Sequence, residues 1–294
     1  MKWEGQRQSD NVEDRRGGGP AGRGGGLPIG GRGIGVGTIV VALVAGWIFG
    51  INPLTVLGLL SGGGGGAPVV QQAPAQRPPP QDREAAFVST VLADTEDVWA
   101  ALFKAAGSQY PAPRLVLFRG ATPTACGTGE SAMGPFYCPG DRKVYIDLDF
   151  FGTLRQRLGA PGDFAQAYVV AHEVGHHVQN VLGVTEKTEA LRQRSSRTQA
   201  NAVSVRVELQ ADCLAGVWAH HSQRGKGWLE QGDLEEALNA ASKIGDDTLQ
   251  RQAQGRVVPE SFTHGSSAQR MRWFQRGYSG GSVNQCNTLE AREL

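Results

Sequence analysis

The sequence lacks an excess of charge of either sign, and it contains few cysteines. Its 294 residues carry 29 Lys and Arg against 28 Asp and Glu, a formal net charge of +1. Nucleic-acid-binding proteins usually carry a strong basic excess, so the composition argues against a nucleic-acid partner. The four cysteines form no C-x-x-C pair, so the sequence shows neither a cysteine-type zinc site nor a thioredoxin-like motif.

Charge is absent altogether from one long stretch near the N-terminus. No charged residue occurs between Arg32 and Arg77, and residues 34–51 form a dense apolar run within that gap. A bilayer span needs about 20 apolar residues, so we predict a single transmembrane segment over residues 34–60. Acidic residues in the long preceding flank make a cleaved signal peptide the weaker interpretation. Glycine-rich tracts on both sides disfavour a buried core helix.

Basic residues are concentrated before this segment, where they are Lys2, Arg7, Arg15, Arg16, Arg23 and Arg32. The positive-inside rule therefore predicts a single-pass protein with a cytoplasmic N-terminus and an external domain. Residues 1–33 mix both signs of charge with many glycines, so we expect a disordered cytoplasmic tail. Residues 61–82 are rich in glycine and proline and predict a linker. Residues 83–294 are then the folded domain.

This domain shows more helical than strand patterns. Apolar spacing near 3.6 residues predicts a helix over 83–106, and apolar alternation predicts strands over 114–119 and 143–150. Residues 121–140 are typical of a loop. Further helices are predicted at roughly 163–182, 186–194, 201–222, 232–244 and 266–276. Many helices and few strands predict an α+β domain that is mainly helical and contains a small β-sheet.

Residues 172–176 read His-Glu-Val-Gly-His and carry the chemistry. On a helix, positions i and i+4 share a face, so His172 and His176 can bind one zinc ion. Glu173 lies about 100° round the helix from His172. That offset suits a general base acting on a metal-bound water rather than a metal ligand.

A catalytic zinc site needs a third protein ligand. One large class of zincins has a histidine six residues after the second ligand, but Leu182 stands there. Another class uses a later Glu-x-x-x-Asp, and residues 208–212 read Glu-Leu-Gln-Ala-Asp. Glu208 is therefore the predicted third ligand, and Asp212 the predicted acceptor for the far nitrogen of a liganding histidine. The rival third ligands are Glu186, Glu189, His220 and His221.

Three further residues, His264, Arg270 and His177, have more than one interpretation. His264 is a candidate stabiliser of the oxyanion in the transition state, although a capping or surface histidine fits the same pattern. Arg270 has the same two interpretations. His177 points away from the face shared by the two zinc ligands, so we assign it a structural or supporting role.

With these residues in hand, the chain resembles the bacterial family of predicted neutral zinc metallopeptidases. The likeness covers nearly the whole chain, from Met-Lys-Trp-Glu-Gly-Gln-Arg-Gln-Ser-Asp at the start, through His172 to Gln179 and Glu208 to Gly216, to Ser261 to Arg270. The resemblance implies a zincin-like domain, a bound zinc ion and a peptide or protein substrate. Together with the predicted span, it implies a protein of the bacterial inner (plasma) membrane with a periplasmic or extracellular catalytic domain.

An external domain motivates a further hypothesis, two disulfides that pair Cys126 with Cys138 and Cys213 with Cys286. We also expect the strand from Lys143 to Phe150 to bind an extended peptide along its edge.

The sequence as a whole predicts a membrane-anchored zinc metallopeptidase with Glu173 as general base. Two alternatives stay open: an envelope protein that binds zinc without cleaving anything, and a zinc hydrolase acting on a non-peptide amide. The sequence does not indicate the physiological substrate or the oligomeric state.

Overall fold

A four-stranded sheet forms one side of the domain in the computed structural model, which describes residues 1–17, 77–79 and 81–294. The strands are β1 (Val12–Asp14), β2 (Arg114–Phe118), β5 (Phe136–Cys138) and β6 (Lys143–Asp147), in the order β1-β2-β6-β5. β1, β2 and β6 run parallel, and β5 is antiparallel to β6. Strands β3 (Ala121–Thr124) and β4 (Gly127–Glu130) form a separate antiparallel hairpin.

The alternating side chains of β2 and β6 enter two different apolar clusters. Leu115 and Leu117 of β2 face the main core, which the helices fill. Val116 and Phe118 face a smaller cluster with Cys138 and Tyr145, against which Phe136 packs. Because both faces are covered, the two central strands are apolar almost throughout, as expected for buried parallel strands.

The described residues form eight α-helices. They are α1 (Arg83–Ala105), α2 (Asp149–Gln156), α3 (Asp163–Val181), α4 (Val184–Gln193), α5 (Arg197–Lys226), α6 (Asp233–Lys243), α7 (Asp246–Gln254) and α8 (Ser267–Gly280). Short 3₁₀ turns occur at Ser131–Met133, Pro259–Ser261 and Val283–Cys286. Capping boxes at Ser196 and Ser266 begin α5 and α8, and glycines in the left-handed conformation end both helices.

Helices α5 and α8 pack unusually close together because glycines lie at their crossing. A methyl group on Gly216 of α5 would lie 2.1 Å from the carbonyl oxygen of Phe274. A methyl group on Gly277 of α8 would lie 1.9 Å from the carbonyl oxygen of Cys213. Only residues without a Cβ atom therefore allow the two backbones to touch at this point.

Both hypothesised disulfides are present. Cys126 is bonded to Cys138, which ties the β3–β4 hairpin to strand β5. Cys213 is bonded to Cys286, which ties the C-terminal segment to helix α5. The described residues contain no free cysteine.

The prediction that residues 1–33 form a disordered tail is wrong for residues 1–17. Val12 to Asp14 form β1 and pair with Leu115 to Leu117. Before β1, the amide of Lys2 donates to the Trp228 carbonyl at 2.8 Å. Residues 1–17 thus belong to the same folded unit as residues 83–294, and hence to the same compartment. The predicted topology, with a cytoplasmic N-terminus and an external domain, is incompatible with this strand pairing.

The predicted transmembrane segment, residues 34–60, lies outside the described residues, as do residues 18–33 and most of the predicted linker. Within the part of the chain that the structure describes, no helix combines the length and the apolar character that crossing a membrane requires. Membrane attachment through residues 34–60 therefore stays a prediction.

The α+β class and the mainly helical composition are confirmed, with differences in detail. The predicted strand over 143–150 ends at Asp147, and helix α2 begins at Asp149. β2 pairs with β6 along its whole length, and β5 pairs with Lys143 to Tyr145 on the other edge. Most of the edge that was expected to bind a peptide is therefore already occupied. The predicted loop over 121–140 contains β3, β4 and β5. Helices α2 and α7 are additional to the prediction.

Glu13 of β1 is held by three cations, and this arrangement predicts a pH dependence. Its carboxylate accepts from Lys143 at 2.9 Å, Arg15 at 2.8 Å and Arg114 at 3.1 Å. Burial raises the pKa of Glu13, but these hydrogen bonds outweigh burial and lower it from 4.5 to about 2. A depressed carboxyl pKa stabilises the fold above pH 4.5, and the contribution is lost as the pH falls toward 2.

We therefore expect Glu13→Gln to lower the free energy of unfolding at pH 7 by about 1–3 kcal/mol. The difference from wild type should shrink below pH 4.5 and vanish near pH 2 in chemical denaturation measured across that range. Glu4→Gln is the control, because Glu4 and its partner Arg83 are both largely exposed. A difference for Glu13→Gln that does not change with pH would contradict the assigned ion pairs.

The glycine contact between α5 and α8 predicts a packing defect. Gly277→Ala should destabilise the protein by about 1–3 kcal/mol, because the new methyl group forces the helices apart. Gly225→Ala is the matched control, since nothing lies within 4 Å of a methyl group at that position of α5. Denaturation midpoints of the two variants test this, and equal midpoints would contradict it.

Candidate metal centre

The helix that carries both histidines runs through the centre of the domain. Residues on almost every side of α3 are buried, from Phe164 to Gln179. Gly162 precedes the helix with a φ of 116°, and a Cβ atom there would meet the Glu236 carboxylate. That carboxylate accepts from the amide of Phe164 at 3.1 Å and so satisfies one free donor of the first turn.

A glycine inside the motif brings α3 against α5. A Cβ atom on Gly175 would lie 2.9 Å from the carbonyl oxygen of Ala211. Ala211 lies between Glu208 and Asp212 on α5. The close approach therefore places these two carboxylates beside the histidines of α3.

Three donor groups converge at this crossing: His172, His176 and Glu208. The Nε2 atom of His172 lies 3.2 Å from one Glu208 carboxylate oxygen, and the Nε2 atom of His176 lies 3.5 Å from the other. Ligand distances of about 2.0–2.2 Å in a tetrahedral zinc site put neighbouring donors about 3.3 Å apart. The donor set and its spacing therefore fit zinc.

Asp212 lies behind His172 and is fully buried. Its Oδ1 atom is 2.8 Å from His172 Nδ1 and 2.5 Å from the Tyr168 hydroxyl. Arg270 of α8 donates to the same carboxylate from Nε at 2.9 Å and from Nη2 at 3.0 Å. A carboxylate on Nδ1 directs the Nε2 lone pair of His172 toward the metal position.

The electrostatics of the centre favour a cation. Burial raises the pKa of Glu208, but the two histidines outweigh burial and hold it well below its usual value. Burial lowers the pKa of His172, but the Asp212 carboxylate outweighs burial and raises it to about 9. A divalent cation at these donors replaces the protons that they otherwise attract.

Glu173 is buried beside the three donors, with 7% of its surface exposed. Burial is the main cause of its raised pKa, which the positive charge of the neighbouring histidines partly offsets. A carboxylate whose pKa is raised toward neutral pH is suited to accept and return a proton.

A cleft of about 940 Å³ opens onto the centre. Its lining includes Phe136 and Tyr137 of β5, Phe150 of α2 and Thr185 of α4. Glu173 and the three donors lie in the lining of the same cleft. A substrate placed there would contact the candidate metal centre directly.

His264 also lines this cleft, and about half of its side chain is exposed. Its Nδ1 atom lies 3.2 Å from Oδ1 of Asp246, the first residue of α7. The other Asp246 oxygen accepts from the backbone amides of Thr263, His264 and Gly265. Asp246 thus holds both the loop and the imidazole, and its hydrogen bond is the main cause of the raised pKa of His264.

The other candidates lie elsewhere or are already engaged. Arg270 binds Asp212 from behind the metal position. Among the rival third ligands, His220 and His221 contact backbone carbonyls near the end of α8, while Glu186 and Glu189 are exposed on α4. None of these four belongs to the donor group around His172.

His177 connects α3 with the cleft wall. Its Nδ1 atom accepts from the Tyr137 hydroxyl at 3.0 Å, and its Nε2 atom donates to the Pro111 carbonyl at 2.6 Å. Burial lowers the pKa of His177 to about 4, which keeps the ring neutral. This geometry agrees with a supporting role outside the ligand set.

Sequence reasoning missed several residues around the centre. Tyr168 lies four residues before His172 and Gln179 three after His176, so helical spacing could have identified both. Asp246 had no such signal, because its helix lacks an apolar periodicity and its contact with His264 is tertiary.

Comparison with known proteins confirms the family resemblance. Residues 1–289 match the model of the family described as "Putative neutral zinc metallopeptidase". The chain is 53% identical over 293 residues to the uncharacterized protein YpfJ of Escherichia coli K12, covering 98% of this chain and 99% of that protein. It is 44% identical over 218 residues to the uncharacterized protein Mb2605 of Mycobacterium bovis, covering 71% and 73%. No solved structure matches the chain significantly.

The contact between Arg270 and Asp212 predicts a strong stability effect. Arg270→Met leaves a buried carboxylate without its countercharge, which should lower the free energy of unfolding by about 3–5 kcal/mol. Arg272→Met, at an exposed position of the same helix, should change it by less than about 0.5 kcal/mol. Chemical denaturation measures both.

A double-mutant cycle separates this pair from general damage to α8. Combining Arg270→Met with Asp212→Asn should cost less than the sum of the single changes, because no unpaired charge remains buried. Strictly additive losses would show that the two side chains do not interact.

Proposed function

Because this chain belongs to the family of neutral zinc metallopeptidases, we propose that it is a zinc-dependent peptidase that hydrolyses peptide bonds in the cleft. The observation that carries the proposal is the convergence of His172, His176 and Glu208, with Glu173 buried beside them. Three protein ligands leave one position of a tetrahedral ion open, as catalytic zinc sites do. A structural zinc site fills all four positions with protein ligands.

In this proposal His172, His176 and Glu208 hold the ion, and Asp212 orients His172. Bound zinc supplies Lewis acidity, which lowers the pKa of water toward ~7 and polarises a carbonyl group. The carboxylate of Glu173 accepts the proton of the attacking water. It then returns that proton to the leaving amine, so Glu173 ends the cycle in its starting form.

His264 is the proposed stabiliser of the oxyanion. It lines the same cleft as the donors, and Asp246 favours its protonated form. A cationic hydrogen-bond donor facing the developing negative charge lowers the barrier to the tetrahedral intermediate. Arg270 is not proposed for this task, because its guanidinium group is engaged with Asp212, Tyr168 and the Ile244 carbonyl.

The position of β5 supports a peptide substrate. β5 is the terminal strand of its sheet, and Phe136 and Tyr137 on it line the cleft. A terminal strand offers unpaired backbone groups to which an extended peptide can add as a further strand. The open edge therefore lies at β5, one strand away from the position expected from sequence.

We further propose that this folded unit works outside the cytosol, with residues 34–60 as a membrane anchor that enters and leaves the bilayer on the same side. The two disulfides support an oxidising compartment, such as the periplasm. The apolar, uncharged character of residues 34–51 supports the anchor. Residues 1–17 share the compartment of the catalytic residues, since β1 pairs with β2.

The decisive variant is Glu173→Gln in the full-length chain. It keeps the size of the side chain but removes the proton acceptor. We expect one zinc per chain in wild type and variant, and at least about a 100-fold loss of cleavage of an unstructured protein substrate in the variant. Metal content by mass spectrometry and cleavage by gel or fluorescence measure the two quantities.

Glu235→Gln, at an exposed position of α6, is the control and should keep full activity. Zinc binding without cleavage of peptides or of small amides by wild type would favour the non-catalytic zinc-binding protein. Cleavage of small amides alone would favour the non-peptide hydrolase. Absence of zinc from wild type would overturn the ligand assignment.

A further inference from the structure

The second zinc ligand has a buried partner that the proposed mechanism does not use. Gln179 lies on α3, three residues after His176, and only 1% of its surface is exposed. Its Oε1 atom lies 2.8 Å from His176 Nδ1. The contact is on the side of the imidazole opposite the Nε2 atom that faces Glu208.

The orientation of the Gln179 amide is determined by a backbone carbonyl. Its Nε2 atom lies 2.7 Å from the carbonyl oxygen of Val207 on α5. A carbonyl oxygen only accepts hydrogen bonds, so the amino end of Gln179 must face Val207. The oxygen end then faces His176, which must carry its proton on Nδ1. The Nε2 lone pair of neutral His176 is consequently free for a metal.

A second glutamine, Gln210, orients the Gln179 amide through a further hydrogen bond. The Gln179 amino group also donates to Oε1 of Gln210 at 3.0 Å. The Gln210 amino group donates to the carbonyl oxygen of Cys286 at 2.9 Å. Cys286 is in turn bonded covalently to Cys213 of α5. Two backbone carbonyls, one on α5 and one on the segment linked to α5, therefore fix the direction of each hydrogen bond in the series from Gln210 to His176.

We propose that Gln179, supported by Gln210, is a positioning residue that selects the metal-binding tautomer and ring orientation of His176. This inference rests on the proposed zinc site. The role is parallel to that of Asp212 behind His172, but the chemistry differs. Asp212 brings a negative charge that Arg270 balances, whereas Gln179 orients its histidine with a neutral amide and needs no countercharge.

The same contacts disfavour a carboxylate in place of this amide. A glutamate at position 179 would place a carboxylate oxygen against the Val207 carbonyl, where two acceptors repel each other. Gln179→Glu therefore loses the hydrogen bond that orients the side chain, although it keeps an acceptor for His176. Gln179→Leu loses both contacts at similar volume.

The test measures zinc affinity of the full-length protein by competition with a chelator, and it requires no substrate. Partners of liganding histidines typically contribute 10–100-fold to metal affinity, so Gln179→Leu should weaken zinc binding by about that factor. Gln179→Glu should also bind zinc less tightly than wild type. Gln193→Leu, the same change at an exposed position of α4, should alter the zinc dissociation constant by less than about twofold.

His176→Ala separates this inference from the ligand assignment. If His176→Ala weakens zinc binding while Gln179→Leu binds zinc like wild type, the positioning role is overturned and the ligand assignment survives. If neither change affects zinc binding, both are overturned.

A measurement on the unsubstituted protein covers the case in which Gln179→Leu does not fold. Nitrogen-15 NMR of the zinc-loaded protein should show His176 protonated at Nδ1, with slow proton exchange because Gln179 buries the contact. A proton at Nε2 would contradict the inference.

Discussion

The arrangement of the candidate centre depends on one buried negative charge, the carboxylate of Asp212. It accepts hydrogen bonds from α3 through Tyr168 and His172, and from α8 through Arg270. A buried carboxylate without such partners costs several kcal/mol. Three helices must therefore meet in one register, and the glycines at their crossings allow the backbones to come close enough. The requirement to satisfy this charge is thus also what orients the metal-binding histidine.

Local sequence patterns predict much of the fold. The elements that they fail to predict have identifiable physical causes. The long helices α1, α3 and α5 have apolar periodicity, so their positions could be predicted within a few residues. Strand β5 has three residues in a stretch rich in glycine and proline, and α7 is almost entirely polar. Strand β1 reads Val-Glu-Asp, and the cations that compensate Glu13 include Arg114 and Lys143, which are 101 and 130 residues away in sequence. No short stretch of the sequence contains both Glu13 and these two partners.

The same distinction applies to the candidate site. His172 and His176 share a helix face, as do Glu208 and Asp212, and this spacing is visible in the sequence. Tertiary packing is what brings the two pairs together, through Gly175 and Ala211. Helical spacing could have placed Gln179 beside His176. The orientation of its amide, however, is determined by a carbonyl group of a different helix. The contact of Asp246 with His264 depends on a helix that the sequence does not reveal.

The pairing of β1 with β2 has a consequence for the order in which the molecule assembles. Synthesis makes Val12 long before its partner Leu115, and a parallel strand cannot pair with residues that do not yet exist. Closing so long a loop also carries an entropic cost, and contacts distant in sequence slow folding. Strand β1 therefore stays unpaired until β2 has been made. Residues 12–14 thus join the sheet late relative to their position in the sequence, and the sheet beside the metal centre is incomplete until they do.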